Sequence, residues 1–170
     1  MEILRSTVNN IDRFTEYSGQ ILAWLCFSMA LTTGVVVALR YGFGIGSIAL
    51  QESITYMHAS IFMLGAAFAL KHQKHVHVDI FYRNFSPRTR AWINSIGGII
   101  FLLPLCLFIG GISWNFVINS WGIREVSAEP GGIPAIFLLK TLIPVMSLTL
   151  SAQGVAEVLR NALILVEVQD

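Results

Sequence analysis

The sequence predicts an all-α integral membrane protein: four antiparallel transmembrane helices, with flat interfacial helices ahead of the first span and between the second and third. Three observations carry this. Residues 91–123 contain no Asp, Glu, Lys or Arg, whereas about 20 consecutive apolar residues already cross a hydrocarbon core about 30 Å thick. Two or three further apolar runs share a chain of only 170 residues, too much for one soluble core of that size to hide. Hydrophobic residues make up 55% and charged residues 12%, about half the charged share of a soluble domain. Long uninterrupted runs mean helices, because lipid offers backbone groups no water partner. A β-barrel would show short alternating strands instead.

The first span is 17–39, bounded by Glu16 and Arg40. Ahead of it Leu4, Val8, Ile11 and Thr15 share a helical face opposite Arg5, Asn9, Asp12 and Glu16, the pattern of a helix lying in the headgroup layer. The start does not read as a cleaved signal peptide: its apolar run begins near Tyr17 and exceeds the 7–15 residues of an h-region. The second span is 52–70, closed by Lys71. In the following loop Val78, Phe81, Tyr82 and Phe85 stand at i, i+3, i+4 and i+7, predicting an interfacial helix over about 78–85. Ser86-Pro87 then supplies an N-cap and a first helical residue for the third helix. That span is placed at 91–121. Its charge-free stretch is about 50 Å long as one helix, so it tilts or projects beyond the lipid. The fourth span is 133–158, interrupted only by Lys140 and Glu157. Pro104 and Pro144 are kink candidates in spans three and four. The chain reads as a single membrane domain, 1–170, without an internal repeat.

Charge sets the orientation. Arg5, Arg13, Lys71, Lys74, Arg83, Arg88, Arg90 and Arg160 fall on one side of this four-span plan, and only Arg40, Arg124 and Lys140 on the other. The positive-inside rule puts both termini and the central loop in the cytoplasm, with loops 41–51 and 122–132 outside. The expected location is the cytoplasmic (inner) membrane of a bacterium or archaeon.

Chemistry-bearing residues are few. Cys26 and Cys106 lie mid-span in different runs and read as packed thiols. His72, His75, His77 and Asp79 are close in sequence, but Lys71, Lys74 and Arg83 oppose a cation there. Headgroup contact by Lys71, His75, His77, Arg83 and Arg88 is the simpler reading. Haem between helices needs paired histidines at membrane depth, and only His58 lies inside a span, where such a residue usually packs or bridges helices. No Asp or Glu lies near mid-membrane, so no proton relay is apparent. The expectation is no catalytic residue, no enzyme activity, no metal, and no cofactor beyond a structural phospholipid. A net charge of +1 gives no basic face for nucleic acid. Gly97, Gly98, Gly110 and Gly111 permit close helix approach. Trp114 and Trp121, seven apart, share a face near the outer interface. With Glu125 and Glu129 of the outer loop they are the candidate partner interface. Four spans are too little to wrap a solute pathway, so the chain must oligomerise or serve a larger partner.

Two stretches resemble a known family. His75-Val76-His77-Val78-Asp79-Ile80, followed by a basic loop and a long third span, is similar to the small (Q-type) membrane subunit of tripartite ATP-independent periplasmic (TRAP) transporters. Arg124-Glu125-Val126-Ser127-Ala128-Glu129-Pro130-Gly131-Gly132-Ile133-Pro134, then Lys140 and Pro144, is a second matching stretch, and Glu52 resembles the acid that often opens the family's second span. The resemblance implies a static scaffold for a large multi-span, elevator-type permease subunit that carries sodium and substrate. It also implies a periplasmic substrate-binding protein as the third component, and organic anions such as carboxylates or sulfonates as cargo. The residues alone leave two other classes open: a membrane-anchor redox subunit binding haem or metal, and a homo-oligomeric small channel or exporter.

Overall fold

The computed structural model describes residues 2–72 and 85–167. In chain order the elements are α1 (Glu2–Gly42), α2 (Ile48–Lys71), α3 (Pro87–Gly97), a π-helical turn (Gly98–Leu102), α4 (Leu103–Gly122) and α5 (Ile136–Glu167). With α3, the π turn and α4 running as one rod, four helices are long and apolar enough to cross a membrane.

α1 corrects one expectation. The segment ahead of span one is not a separate flat helix; it continues into the span as one helix of 41 residues, about 60 Å long. The first glycine is Gly19 and no proline precedes it, so nothing interrupts the backbone ladder. The same face that suggested interfacial burial packs against the bundle: Val8, Thr15 and Leu22, seven apart, are all buried. The chain leaves α1 through Phe43 and Ile45, whose amides both bond the Leu39 carbonyl, and through Gly44 at φ +68°, a conformation glycine adopts without strain.

Ser47 opens α2, its hydroxyl accepting from the Leu50 amide at 3.4 Å. Ser86 opens α3 as the sequence predicts, in extended geometry with its hydroxyl 3.2 Å from the Thr89 amide and Pro87 in the first turn. The predicted interfacial helix over 78–85 lies, apart from Phe85, outside the described residues. The π turn has a local cause. Pro104 has no N–H, so the Ile100 carbonyl loses its donor. One residue earlier the Leu103 amide reaches back five residues to Gly98, a local π adjustment of the kind that lets membrane helices tolerate proline.

α5 is the hub. It packs against α1, α2, α3, the π turn and α4, and it carries buried Ser147, Gln153, Ala156 and Asn161. The α1–α2 hairpin lies on one flank and α3–α4 on the other. Outward faces of α1, the π turn and α4 expose Trp24, Phe27, Leu31, Phe101, Leu107 and Phe108, the composition that suits hydrocarbon.

Candidate functional site

Polar chemistry gathers at the two ends of the bundle. The basic end is organised around Asp12 on α1. One carboxylate oxygen accepts from Gln153 Nε2 at 3.0 Å and the other from Arg160 Nη2 at 2.6 Å, both donors on α5. The Asp12 carbonyl accepts from Lys71 Nζ of α2, also at 3.0 Å. Gln153 is 0% exposed, and its side-chain oxygen accepts from the Thr15 hydroxyl at 2.7 Å. Arg160 uses its other terminal nitrogen on Glu157. Lys71 also pairs with Glu16, with His72 Nε2 3.2 Å from the same carboxylate and its ring 4.3 Å from that of Phe68. Three helices are thus tied by one network in which each of these side chains has a partner, the condition under which buried polar groups fix a unique arrangement.

At the opposite end Glu52 of α2 captures the loop between α4 and α5. Its carboxylate accepts from the Ser127 hydroxyl and from the Ile133 amide, the latter at 2.5 Å. Gly132 leaves room for this: a Cβ there would lie 2.4 Å from Ser127 Oγ and 2.7 Å from Glu52 Oε1. The loop also holds Gly131 at φ +81° and Arg124 at φ +46°. Glu125 pairs with Lys140 and accepts from the Ser120 hydroxyl at 2.7 Å, while its carbonyl receives the Ile136 amide at 3.1 Å. Lys140, and next the Ser120 hydroxyl, hold the Glu125 carboxyl below the ordinary value of 4.5. The Lys140 ammonium sits 4.0 Å over the Phe116 ring, a cation–π contact. Trp121 donates to the Thr141 hydroxyl at 2.8 Å with its ring 4.7 Å from that of Phe137.

The candidate interface residues divide by this geometry. A Cβ at Gly98 would lie 2.8 Å from Val158 Cγ2, and one at Gly110 2.7 Å from Ser147 Oγ, both on α5. These two glycines serve contact within the chain, whereas Gly97 and Gly111 face open space. Gly111 and Trp114 border an open groove of about 440 Å³ between α4 and α5. Glu129 is exposed, while Glu125 is committed to Lys140. Lys71 points into the bundle rather than outward, its side chain 17% exposed; Arg88 is exposed. His75, His77, Asp79 and Arg83 lie outside the described residues. Among those described, no cluster of three or more His, Cys, Asp or Glu side chains has metal-binding geometry. Sequence reasoning missed Asp12, Thr15, Gln153 and Arg160 as a unit. The one available signal was Gln153, the only amide-bearing side chain inside the fourth span.

The arrangement braces helices; its polar groups are spent on one another rather than on an open ligand space. The family model for the DctQ component of tripartite ATP-independent periplasmic transporters matches residues 29–163. Neither the comparison with curated proteins nor that with solved structures finds a match. The match spans most of the chain, taking in the Glu52 cluster and the α2 and α5 members of the basic-end cluster but not Asp12, Thr15 or Glu16, so this multi-pass membrane protein belongs to the DctQ family, the small permease component of TRAP transporters.

Proposed function

We propose that the chain is the static scaffold of a sodium-coupled transporter that takes organic anions, carboxylates or sulfonates, across the cytoplasmic membrane. In this reading the basic end and both termini are cytoplasmic. The large multi-span permease subunit carries sodium and substrate, and the loop at the opposite end helps dock the periplasmic binding protein. One observation carries the reading. Asp12, Glu16, Glu52, Lys71, Glu125, Lys140, Glu157 and Arg160 are all used in ties within the chain, which suits a brace and leaves none of them for cargo. Exposed Arg124 and Glu129 on the loop are suited to the binding protein, and the groove beside Gly111 and Trp114 to a membrane partner or a structural phospholipid. Lys71 serves the bundle, which leaves Arg88 with His75, His77 and Arg83 for headgroups.

Affinity purification of the tagged chain from its native membrane tests this. A larger multi-span protein should co-purify in stoichiometric amount, and the material should show no haem absorbance. Stoichiometric haem or metal would favour the redox-anchor class. A homo-oligomer free of any larger protein would favour the channel or exporter class.

A further inference from the structure

α2 exposes a single stripe, and three of its four residues are polar. From Ile48 to Lys71 the exposed residues are Gln51, Thr55, His58 and Phe62, spaced four, three and four apart and so on one face. The rest of the helix is turned toward α1 and α5. His58 stands about 15 Å along a helix about 36 Å long, near mid-membrane. The outward faces of α1 and α4 are clad in Trp, Phe, Leu and Ile at comparable depth. Several other hydroxyls in the spans are satisfied locally, since Thr32, Thr33, Ser60 and Thr149 each bond a carbonyl one turn back; Tyr56 Oη and Ser95 Oγ are buried without a partner among the described residues, so they are closed off from any other helix. The side chains of Gln51, Thr55 and His58 have no hydrogen-bond partner among the described residues. Hydrocarbon cannot supply one, and polar side chains at this depth face protein or a water-filled cavity.

We infer that the Gln51–Thr55–His58 face of α2 is the surface against which a transmembrane helix of the large permease subunit packs, presenting hydrogen-bonding side chains or exposed carbonyls. This rests on the scaffold reading and adds the contact face to it. Hydrogen-bonding complementarity selects a polar helix over lipid, and membership of a tripartite system supplies a membrane partner other than this chain. A second copy related by an axis along the membrane normal would set His58 against His58 and Gln51 against Gln51, which the test detects.

The test co-expresses the chain with its large subunit and compares wild type with the combined Gln51→Leu, Thr55→Leu, His58→Leu variant and with His58→Leu and His58→Gln alone. Interhelical hydrogen bonds in membranes average about threefold each in association. His58→Leu should therefore lower recovery of the large subunit about threefold and the combined variant roughly twentyfold, with His58→Gln recovering most of the loss. The stripe is exposed and its polar side chains bond nothing among the described residues, so thermal unfolding of each variant alone should match or exceed wild type. Unchanged recovery with the combined variant overturns the inference. So does a disulfide between two copies carrying His58→Cys in a background lacking Cys26 and Cys106. Failure of the wild type to recover any larger subunit refutes the scaffold reading itself, and this occupant with it.

Discussion

Replacing Gln153 by Leu removes the amide that joins α5 to α1. The substitution keeps the volume close and deletes two interhelical hydrogen bonds, to Asp12 at 3.0 Å and from Thr15 at 2.7 Å. Such bonds average about 0.6 kcal/mol in a membrane and reach about 1.7. The site is fully buried, so the orphaned Asp12 oxygen adds to the loss, and about 1–3 kcal/mol is expected in total. Thr15→Val removes one bond, and its loss should be about 0.6–1 kcal/mol. Arg160→Gln withdraws the cation from both Asp12 and Glu157. Breaking a buried pair costs about 3–5 kcal/mol, and screening lowers this toward about 2 where one member of the pair is a third exposed, as the Arg160 side chain is at 34%. Equilibrium unfolding in mixed micelles reads these differences, and the double variant Thr15→Val with Gln153→Leu closes a cycle. The expected coupling is about 0.6–1.7 kcal/mol. A neutral or stabilising Gln153→Leu, together with additive single effects, would refute the network as the tie between the first and last helices.

Gly98→Val and Gly110→Leu should destabilise the isolated chain through clashes with Val158 and Ser147, whereas Gly97→Val and Gly111→Leu should leave its unfolding midpoint unchanged. Gly111→Leu should act only when the large subunit is present, lowering its recovery. Gly132→Ala crowds the Glu52 carboxylate and should loosen the loop, seen as faster proteolysis near Ala128, and Glu52→Gln should act in the same direction. Glu125 has its carboxyl depressed in the folded state, so its tie to Lys140 is fully present above pH 4.5 and is lost as pH falls through the depressed value. The stability difference between wild type and Glu125→Gln should therefore vanish in acid, and a difference that grows in acid would contradict the assignment. Cysteines at Arg88 and Ala128, with Cys26 and Cys106 replaced, should be labelled from opposite membrane faces by an impermeant reagent; labelling from one face would contradict the four-span plan.

The fold was legible because lipid makes composition decisive. Charge-free runs marked the spans, and Ser86-Pro87 marked the start of the third helix. The continuity of α1 was less legible. An amphipathic pattern on residues 4–16 is the same whether its apolar face meets headgroups or neighbouring helices, and only α2 and α5 decide between them. The clusters were half legible. Glu52 and the loop beyond Arg124 were visible because they match a family pattern, whereas Asp12 and Gln153 are 141 residues apart and no local spacing connects them. The glycine pairs show the same limit: Gly97 and Gly98 look alike in sequence, and only the rotation about the helix axis turns one toward Val158 and the other outward. From sequence alone His58 looks like a packed or bridging residue. Within this chain it is exposed, which moves the search for its partner to another subunit.

Solute uptake in proteoliposomes, with the large subunit and binding protein present and this chain either included or omitted at matched amounts of folded large subunit, tests the scaffold claim most directly. Sodium-driven uptake should require the chain, and the solute carried should not change when its Gln51, Thr55 or His58 is mutated. Full uptake in its absence would contradict the account, as would a change of transported solute caused by mutating this chain alone.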